Sequence, residues 1–184
     1  MSSIVISGDT SGAITLAAPA VSGTNTATLP AATGTVMVSG NMPAFSAYSS
    51  SASSFTLNTF TKVPLQVKSF DTANAFDATT NYRFQPTVAG YYQLNGMLYG
   101  SANAGMTAIY IQINKTNTLY QYGAIENIAV GTSNQSQTIN TLIYLNGSTD
   151  YVELYGTIVG TGTCSYIATT GSVNWFNGVL VRTA

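Results

Sequence analysis

The stretch YRFQPTVAGYYQL at residues 82–94 holds two runs of strand-forming residues on either side of Pro86 and Gly90. Aromatic and β-branched residues favour extended backbone, whereas Pro and Gly interrupt strands. The pattern predicts one strand over 82–85 and a second over 90–99. The fold should therefore be built from strands joined by short connections.

The same pattern continues through the chain from Ala44 onward, where alternating runs are separated by Gly, Asn, Asp and Pro. No helical periodicity interrupts it. The clearest strands are predicted at 60–67, 82–85, 90–99, 107–114, 118–123, 137–145, 150–158 and 173–182. Short strands at this spacing indicate an all-β sandwich or jelly roll.

Charged residues make up only 6% of the 184 residues, against about 25% in an average soluble domain. Ser, Thr, Asn and Gln together account for 68 residues, so hydroxyl and amide groups carry the contact with water. Five Lys and Arg against six Asp and Glu leave a net charge of −1. Without a basic stripe we expect no nucleic acid and no membrane as a partner.

The chain lacks the residues of the commonest catalytic and metal sites. It has no His, which excludes imidazole-based triads and removes the commonest metal ligand. The single Cys164 can form neither an intramolecular disulfide nor a zinc cluster. No secretory signal pattern and no run of about 18 apolar residues is present. We expect no cofactor.

Residues 1–43 differ from the rest, because they contain one charge, Asp9, and no aromatic residue. Such a segment rarely builds its own core, so we interpret it as an extended N-terminal arm before a head domain at 44–184. Two rough copies, SGAITLAAPA and SGTNTATLPA, lie within it. Period-two alternation at Ile4/Ile6, Ile14/Leu16 and Val36/Val38 predicts short strands. The alternative is a disordered tail. The anchor residues predicted in the arm are Ile4, Ile6, Ile14, Leu16, Leu29, Val36 and Val38.

Residues 82–94 also match, in order, the F-x-P-x-x-x-G-x-Y pattern of complement globular heads, members of the tumour-necrosis-factor-like superfamily. The segments DYVEL at 150–154 and FNGVL at 176–180 resemble two later strands of that family. Leu94 replaces the aromatic that the family carries after Tyr92. The resemblance implies a ten-stranded jelly-roll sandwich that assembles as a homotrimer.

The arm segment GTNTATLPAATGTV at 23–36 resembles the low-complexity segments that precede display domains in bacteriophage tail-fibre and other virion proteins. Together the two resemblances imply a virion structural protein, assembled in the host cytoplasm and displayed on the particle surface. The arm would anchor it to a capsid, tail or baseplate protein. Its shortness favours a capsid decoration or head fibre, or a short tail or baseplate tip, over a long fibre.

The family pattern turns Tyr92, Leu94 and Leu98 inward, which leaves the other face of the same strand half apolar. The strands at 150–158 and 173–182 split in the same way, and the resemblance implies that all three share one sheet. The predicted trimer interface is Tyr91, Met97, Tyr99, Tyr151, Tyr155, Trp175, Val179 and Val181. A loop or the arm covering this face is the alternative.

Other chemistry has weaker support. Asp71 and Asp77 are a pair of acids that a glycosidase could use, but Asp commonly caps turns in such sequence. With Asn74 they could also bind calcium, although the recognised calcium-loop pattern is missing. We predict a non-enzymatic protein. The alternative function is a host-receptor or glycan-binding module, using Ser-, Gly-, Asn- and Thr-rich loops at 101–106, 130–136 and 159–172.

Overall fold

The computed structural model describes residues 3–21, 23–28, 31, 33–34, 36–52, 56–101, 105–123, 126–131, 134–162, 165–166 and 173–184. The chain divides into two compact units, Met1–Gly34 and Thr35–Ala184. The described residues contain no α-helix and only one short 3-10 helix, Ser39–Asn41. None of the described helical residues forms a segment long and apolar enough to cross a bilayer.

The first unit contains an antiparallel hairpin of β1, Ser3–Ser7, and β2, Ala13–Ala17. Its turn closes where the Gly8 N–H donates to the Gly12 carbonyl at 3.0 Å. The alternation of Ile and Leu along both segments therefore predicted these two strands correctly. Within the second sequence copy, residues 23–28 form no strand, and Leu29 lies outside the described residues.

The strand predicted around Val36 and Val38 is wrong. Both residues lie in irregular chain before the 3-10 helix. The Asn41 side chain binds this backbone instead: its amide donates to the Val36 carbonyl at 3.1 Å, and its oxygen accepts from the Val38 N–H at 2.8 Å. Side-chain hydrogen bonds of this kind compete with strand pairing.

The second unit is a sandwich of two antiparallel sheets. Its strands are β3 Ala44–Tyr48, β4 Thr61–Lys62, β5 Val67–Asp71, β6 Phe76–Asp77, β7 Arg83–Phe84, β8 Gly90–Ser101, β9 Met106–Lys115, β10 Thr118–Tyr122, β11 Glu126–Gly131, β12 Gln135–Leu145, β13 Val152–Gly160, β14 Ser165–Tyr166 and β15 Trp175–Thr183. The first sheet has the order β12-β8-β15-β3-β5, and the second β10-β9-β13-β7-β6. These ten strands confirm the predicted jelly roll, while β14 joins the first sheet and β4 and β11 join the second.

The opening stretch of sequence positions both sheets, because the chain crosses between them there. Phe84 ends β7 in the second sheet and is fully buried, and Pro86 follows at the point where strand pairing stops. β8 then begins in the first sheet at Gly90, where an added Cβ would meet the backbone of β15. The buried Tyr92 hydroxyl donates to the Val88 carbonyl at 2.7 Å, which fixes the connection.

A cluster of aromatic rings fills the core at this end of the sandwich. Phe45 of β3 is stacked with Phe84 at a ring separation of 4.2 Å and with Phe76 at 5.1 Å, and it meets Phe176 edge-on at 5.2 Å. Gly178 makes room for it, since a Cβ there would lie 2.8 Å from the Phe45 ring. This contact explains the glycine in the segment FNGVL.

The single strand predicted over 60–67 is wrong, because the chain changes sheets within it. β4 pairs with β13 in the second sheet, whereas β5 pairs with β3 in the first. Pro64 has no N–H for a ladder and lies between them, while Val63 and Leu65 are fully buried. The alternation of apolar residues over 60–67 therefore reflects contacts with the core, made by a segment that crosses from one sheet to the other.

Phe45→Ala should lower the free energy of unfolding by about 3–5 kcal/mol, because it removes a fully buried ring from a stacked cluster. Phe70→Ala on the adjacent β5 is the matched control, since that ring is 50% exposed and should cost far less. Urea unfolding of both variants measures the difference. Equal losses would contradict this description of the core.

Candidate functional site

The outer face of the first sheet carries rows of like side chains, which the register of its strands brings side by side. In an antiparallel pair, residues directly opposite each other point to the same face. Tyr92, Leu94 and Leu98 of β8 are fully buried, so the intervening residues of β8 and their partners face outward. We call this surface the row face.

Four rows cross the row face. The first is Tyr48, Trp175, Met97 and Thr138, the second is Ser46, Asn177, Asn95 and Asn140, the third is Ala44, Val179, Gln93 and Leu142, and the fourth is Arg182, Tyr91 and Tyr144. Tyr99 lies beyond the first row, opposite Ser136, and Val181 lies at a bulge before Arg182. Amide side chains thus lie between an aromatic row and an aliphatic row.

The apolar members of the row face are exposed in the single chain. Leu142 is 52% exposed and Val181 53%, and Tyr91, Tyr144 and Val179 are each about 40% exposed. With the half-buried aromatics beside them, they present on the order of 500 Å² of apolar surface, at the upper end of the largest patch on a typical monomer. Such a patch marks an interaction surface.

The amide row is ordered by its own hydrogen bonds. The Asn95 amide donates to the Asn177 side-chain oxygen at 3.1 Å, and the Asn95 oxygen accepts from the Gln93 amide of the next row at 3.5 Å. Asn140 extends the row on β12 and is exposed. A polar row of this kind leaves donors and acceptors on an otherwise apolar face, where a partner must match them.

Six of the eight predicted interface residues lie on or at the margin of the row face: Tyr91, Met97, Tyr99, Trp175, Val179 and Val181. The prediction that β13 shares this sheet is wrong, because β13 pairs with β9, β7 and β4 in the second sheet. Tyr151 and Tyr155 therefore belong to the opposite side of the sandwich. Alternation assigns a residue to a face but does not identify the neighbouring strand.

On the second sheet the two tyrosines are engaged by cations of the same chain. The Arg83 guanidinium lies 4.2 Å from the centre of the Tyr151 ring, and the Lys62 ammonium lies 5.9 Å from that of Tyr155. Lys62 also forms an ion pair with Glu153, which is 1% exposed. Burial raises the pKa of Tyr155, and the negative charge of Glu153 adds to the increase. Both tyrosines are therefore contacted by cations of their own chain, while the second carboxylate oxygen of Glu153 is buried without a hydrogen-bond partner among the described residues.

Sequence reasoning missed Leu142 and Tyr144, the contribution of β12 to the row face. The strand itself was predicted at 137–145, and its alternation places Ile139 and Ile143 on the buried face. Leu142 and Tyr144 stand on the other face, and the Tyr144 ring lies 5.5 Å from the Tyr91 ring. Two apolar residues on the outward face of a strand were the feature of the sequence that could have indicated this part of the surface.

The Asp71 carboxylate is used to hold its own turn. It accepts from the Ala75 N–H at 3.0 Å and the Phe76 N–H at 2.9 Å, and it pairs with Lys68 at 3.1 Å. Burial acts to raise the pKa of Asp71, but these donors outweigh it and hold the pKa below its usual value. Both oxygens of the Asp71 carboxylate therefore serve to hold the turn and the Lys68 ammonium group.

Asp77 caps the next turn in the same way. Its carboxylate accepts from the N–H groups of Thr79 at 2.9 Å, Thr80 at 3.0 Å and Asn81 at 3.1 Å, and from the Asn81 side chain at 2.7 Å. The backbone N–H groups of Thr80 and Thr79 hold the pKa of Asp77 well below its usual range. Within the described ranges no three His, Cys, Asp or Glu side chains form a group that could hold a metal ion.

A cleft of about 260 Å³ lies beside β9, lined by Phe60, Tyr110, Ile111, Tyr122 and Gly123. The Phe60 ring lies 6.4 Å from the Tyr110 ring and 5.8 Å from the Tyr122 ring. Among the described residues, the lining carries three aromatic rings and no charged group. About half of the loop residues predicted to recognise a receptor fall outside the described residues, at 102–104, 132–133, 163–164 and 167–172.

Solved structures with this architecture exist. The globular domain of zebrafish complement 1qA aligns with a TM-score of 0.55 at 15% identity and covers 77% of this chain and 99% of its own. Eiger TNF from S. frugiperda aligns with 0.57 at 11% identity, covering 78% and 93%, and murine APRIL with 0.55 at 9%, covering 76% and 99%. No family model and no curated protein sequence matches the chain. The likeness confirms the predicted fold alone.

Asp77→Ala should lower the free energy of unfolding by about 1–2 kcal/mol at neutral pH, since it removes a cap that satisfies three backbone donors. Because folding lowers the pKa of Asp77, its contribution is complete above the ordinary Asp pKa of about 3.9 and is lost as the pH falls below that value. The difference in the free energy of unfolding between variant and wild type should therefore become smaller in acid.

Urea unfolding between pH 7 and pH 2 measures this gap, with Asp9→Asn in the exposed hairpin turn as the control that leaves stability unchanged. A gap that stays constant across this range would contradict the role assigned to the Asp77 carboxylate.

Proposed function

We propose that the protein is a non-enzymatic virion structural protein that assembles as a homotrimer through the row face and is displayed on the particle surface. The observation that carries the proposal is the row face itself, an exposed apolar surface with an ordered amide row. Its place would be that of a capsid decoration or head fibre, or of a short tail or baseplate tip.

A second copy of the same chain suits the row face because the face is nearly free of charge. Among the residues of its four rows, Arg182 alone is charged, and it stands at the end of the Tyr91 row. Identical copies therefore bring no block of like charges together. The amides of Asn95, Asn140 and Asn177 supply both donors and acceptors, so copies can pair them and fix one register.

Three copies are favoured by the likeness to complement-head and TNF-like jelly rolls, domains that typically form trimers. In a cyclic assembly of three, each chain contributes two different surfaces. Beside the row face, the edge strand β10 exposes Leu119, Tyr120 and Tyr122. These side chains give each copy an apolar second surface for the row face of its neighbour.

Attachment to the particle is assigned to the arm. Its hairpin exposes Ile4, Ile6, Ile14 and Leu16, and Val36 and Val38 follow, each more than half exposed. The two strands of the hairpin carry neither Pro nor a charged residue, so their edges suit pairing with a strand of a capsid, tail or baseplate protein. The low-complexity pattern at 23–36 supports a virion as the place of attachment.

Val179→Asp should dissociate the assembly, because it puts an unpaired charge at the centre of a covered apolar row, at a cost of about 3–5 kcal/mol. Sedimentation should then give the mass of a single chain. Tyr151→Asp is the matched control on the second sheet, where the new carboxylate lies beside Arg83 and the assembled mass should persist. Dissociation by Tyr151→Asp with retention in Val179→Asp would contradict the interface.

Removal of residues 1–34 should abolish co-sedimentation with virus particles. It should leave the number of chains in each assembly unchanged. Thr35–Ala184 is a compact unit with its own core, so the shortened chain should fold. The measurement compares full and shortened chains added to particles that lack the protein. Undiminished particle binding by the shortened chain would contradict the anchoring role of the arm.

A further inference from the structure

The hairpin of the first unit is amphipathic across its two faces. Its register places Ile4 opposite Leu16 and Ile6 opposite Ile14, so four aliphatic side chains share one face. The other face pairs Val5 with Thr15 and otherwise carries only Ser and Ala. The four aliphatic side chains are 53–67% exposed. We call their side of the hairpin the aliphatic face.

A two-stranded hairpin cannot bury such a face by itself, because it has no second layer. Isolated hairpins are marginal in water, and a strand added at an edge extends the sheet but leaves its faces as they were. The aliphatic face therefore needs a partner that packs against it from above. The opposite face, with Ser and Thr, is suited to water, so one apolar layer is sufficient.

We propose that the aliphatic faces of the three hairpins in one homotrimer pack against each other. The inference rests on the proposed assembly of the heads, which tethers three identical hairpins and raises their local concentration into the millimolar range. No charged residue lies in either strand, since Asp9 is confined to the turn. Three copies can therefore approach without like-charge repulsion.

This arrangement leaves the outer edges of the hairpins free. Neither strand contains Pro or a charged residue, the usual devices that prevent an exposed edge from pairing with another chain. The faces would hold the three arms together, while the edges would accept strands from the particle. The two roles use different groups, side chains for the first and backbone N–H and C=O for the second.

The test uses single cysteines in the full chain, with Cys164→Ser so that the introduced thiol is the only one. Ile14→Cys places the thiol on the aliphatic face, and Thr15→Cys, one residue later, places it on the polar face. A short bismaleimide should join most Ile14→Cys chains into covalent pairs. Thr15→Cys should give at least fivefold fewer pairs. Non-reducing, denaturing gels measure the yield.

Sedimentation of the same two samples separates this inference from the proposed assembly. If the chains sediment as trimers but Ile14→Cys links no better than Thr15→Cys, the hairpin packing is wrong and the assembly of the heads stands. If the wild-type chain sediments as a single chain, the proposed assembly fails and the packing fails with it. Preferential linking within trimers supports both.

Discussion

The register of four neighbouring strands in the first sheet is the constraint on which the rest depends. Pairing of β12, β8, β15 and β3 aligns like residues into rows, and the core fixes which residues face outward. A shift of one residue in β8 would exchange the buried Tyr92 and Leu94 for Tyr91 and Gln93. The phenylalanine cluster opposes such a shift, so burial on one face specifies the chemistry displayed on the other.

The fold was largely predictable, because its signals are local. Phe84, Pro86, Gly90 and Tyr92 each occupy a position that burial or close approach explains. The sequence did not show which strands lie next to one another in a sheet. Tyr155 alternates correctly but belongs to the second sheet, and Pro64 separates two strands of different sheets. Such assignments depend on long-range pairing, which a period of two does not encode.

Several of the few charged side chains are engaged with other side chains of the same chain. Lys62 pairs with Glu153, Lys68 with Asp71 and Lys115 with Asp150, and Arg83 lies on Tyr151. The carboxylates that suggested catalysis are held by backbone donors of their own turns. The distinctive chemistry of the described residues therefore lies in extended surfaces, the row face of the head and the aliphatic face of the arm.

We propose that copies of the same chain cover both surfaces, the row face first of all. The most direct measurement is sedimentation equilibrium of the unmodified full chain over a wide range of concentrations. Assembly of three copies through the row face predicts a mass three times the 19.2 kDa of one chain. A single-chain mass throughout that range would contradict it.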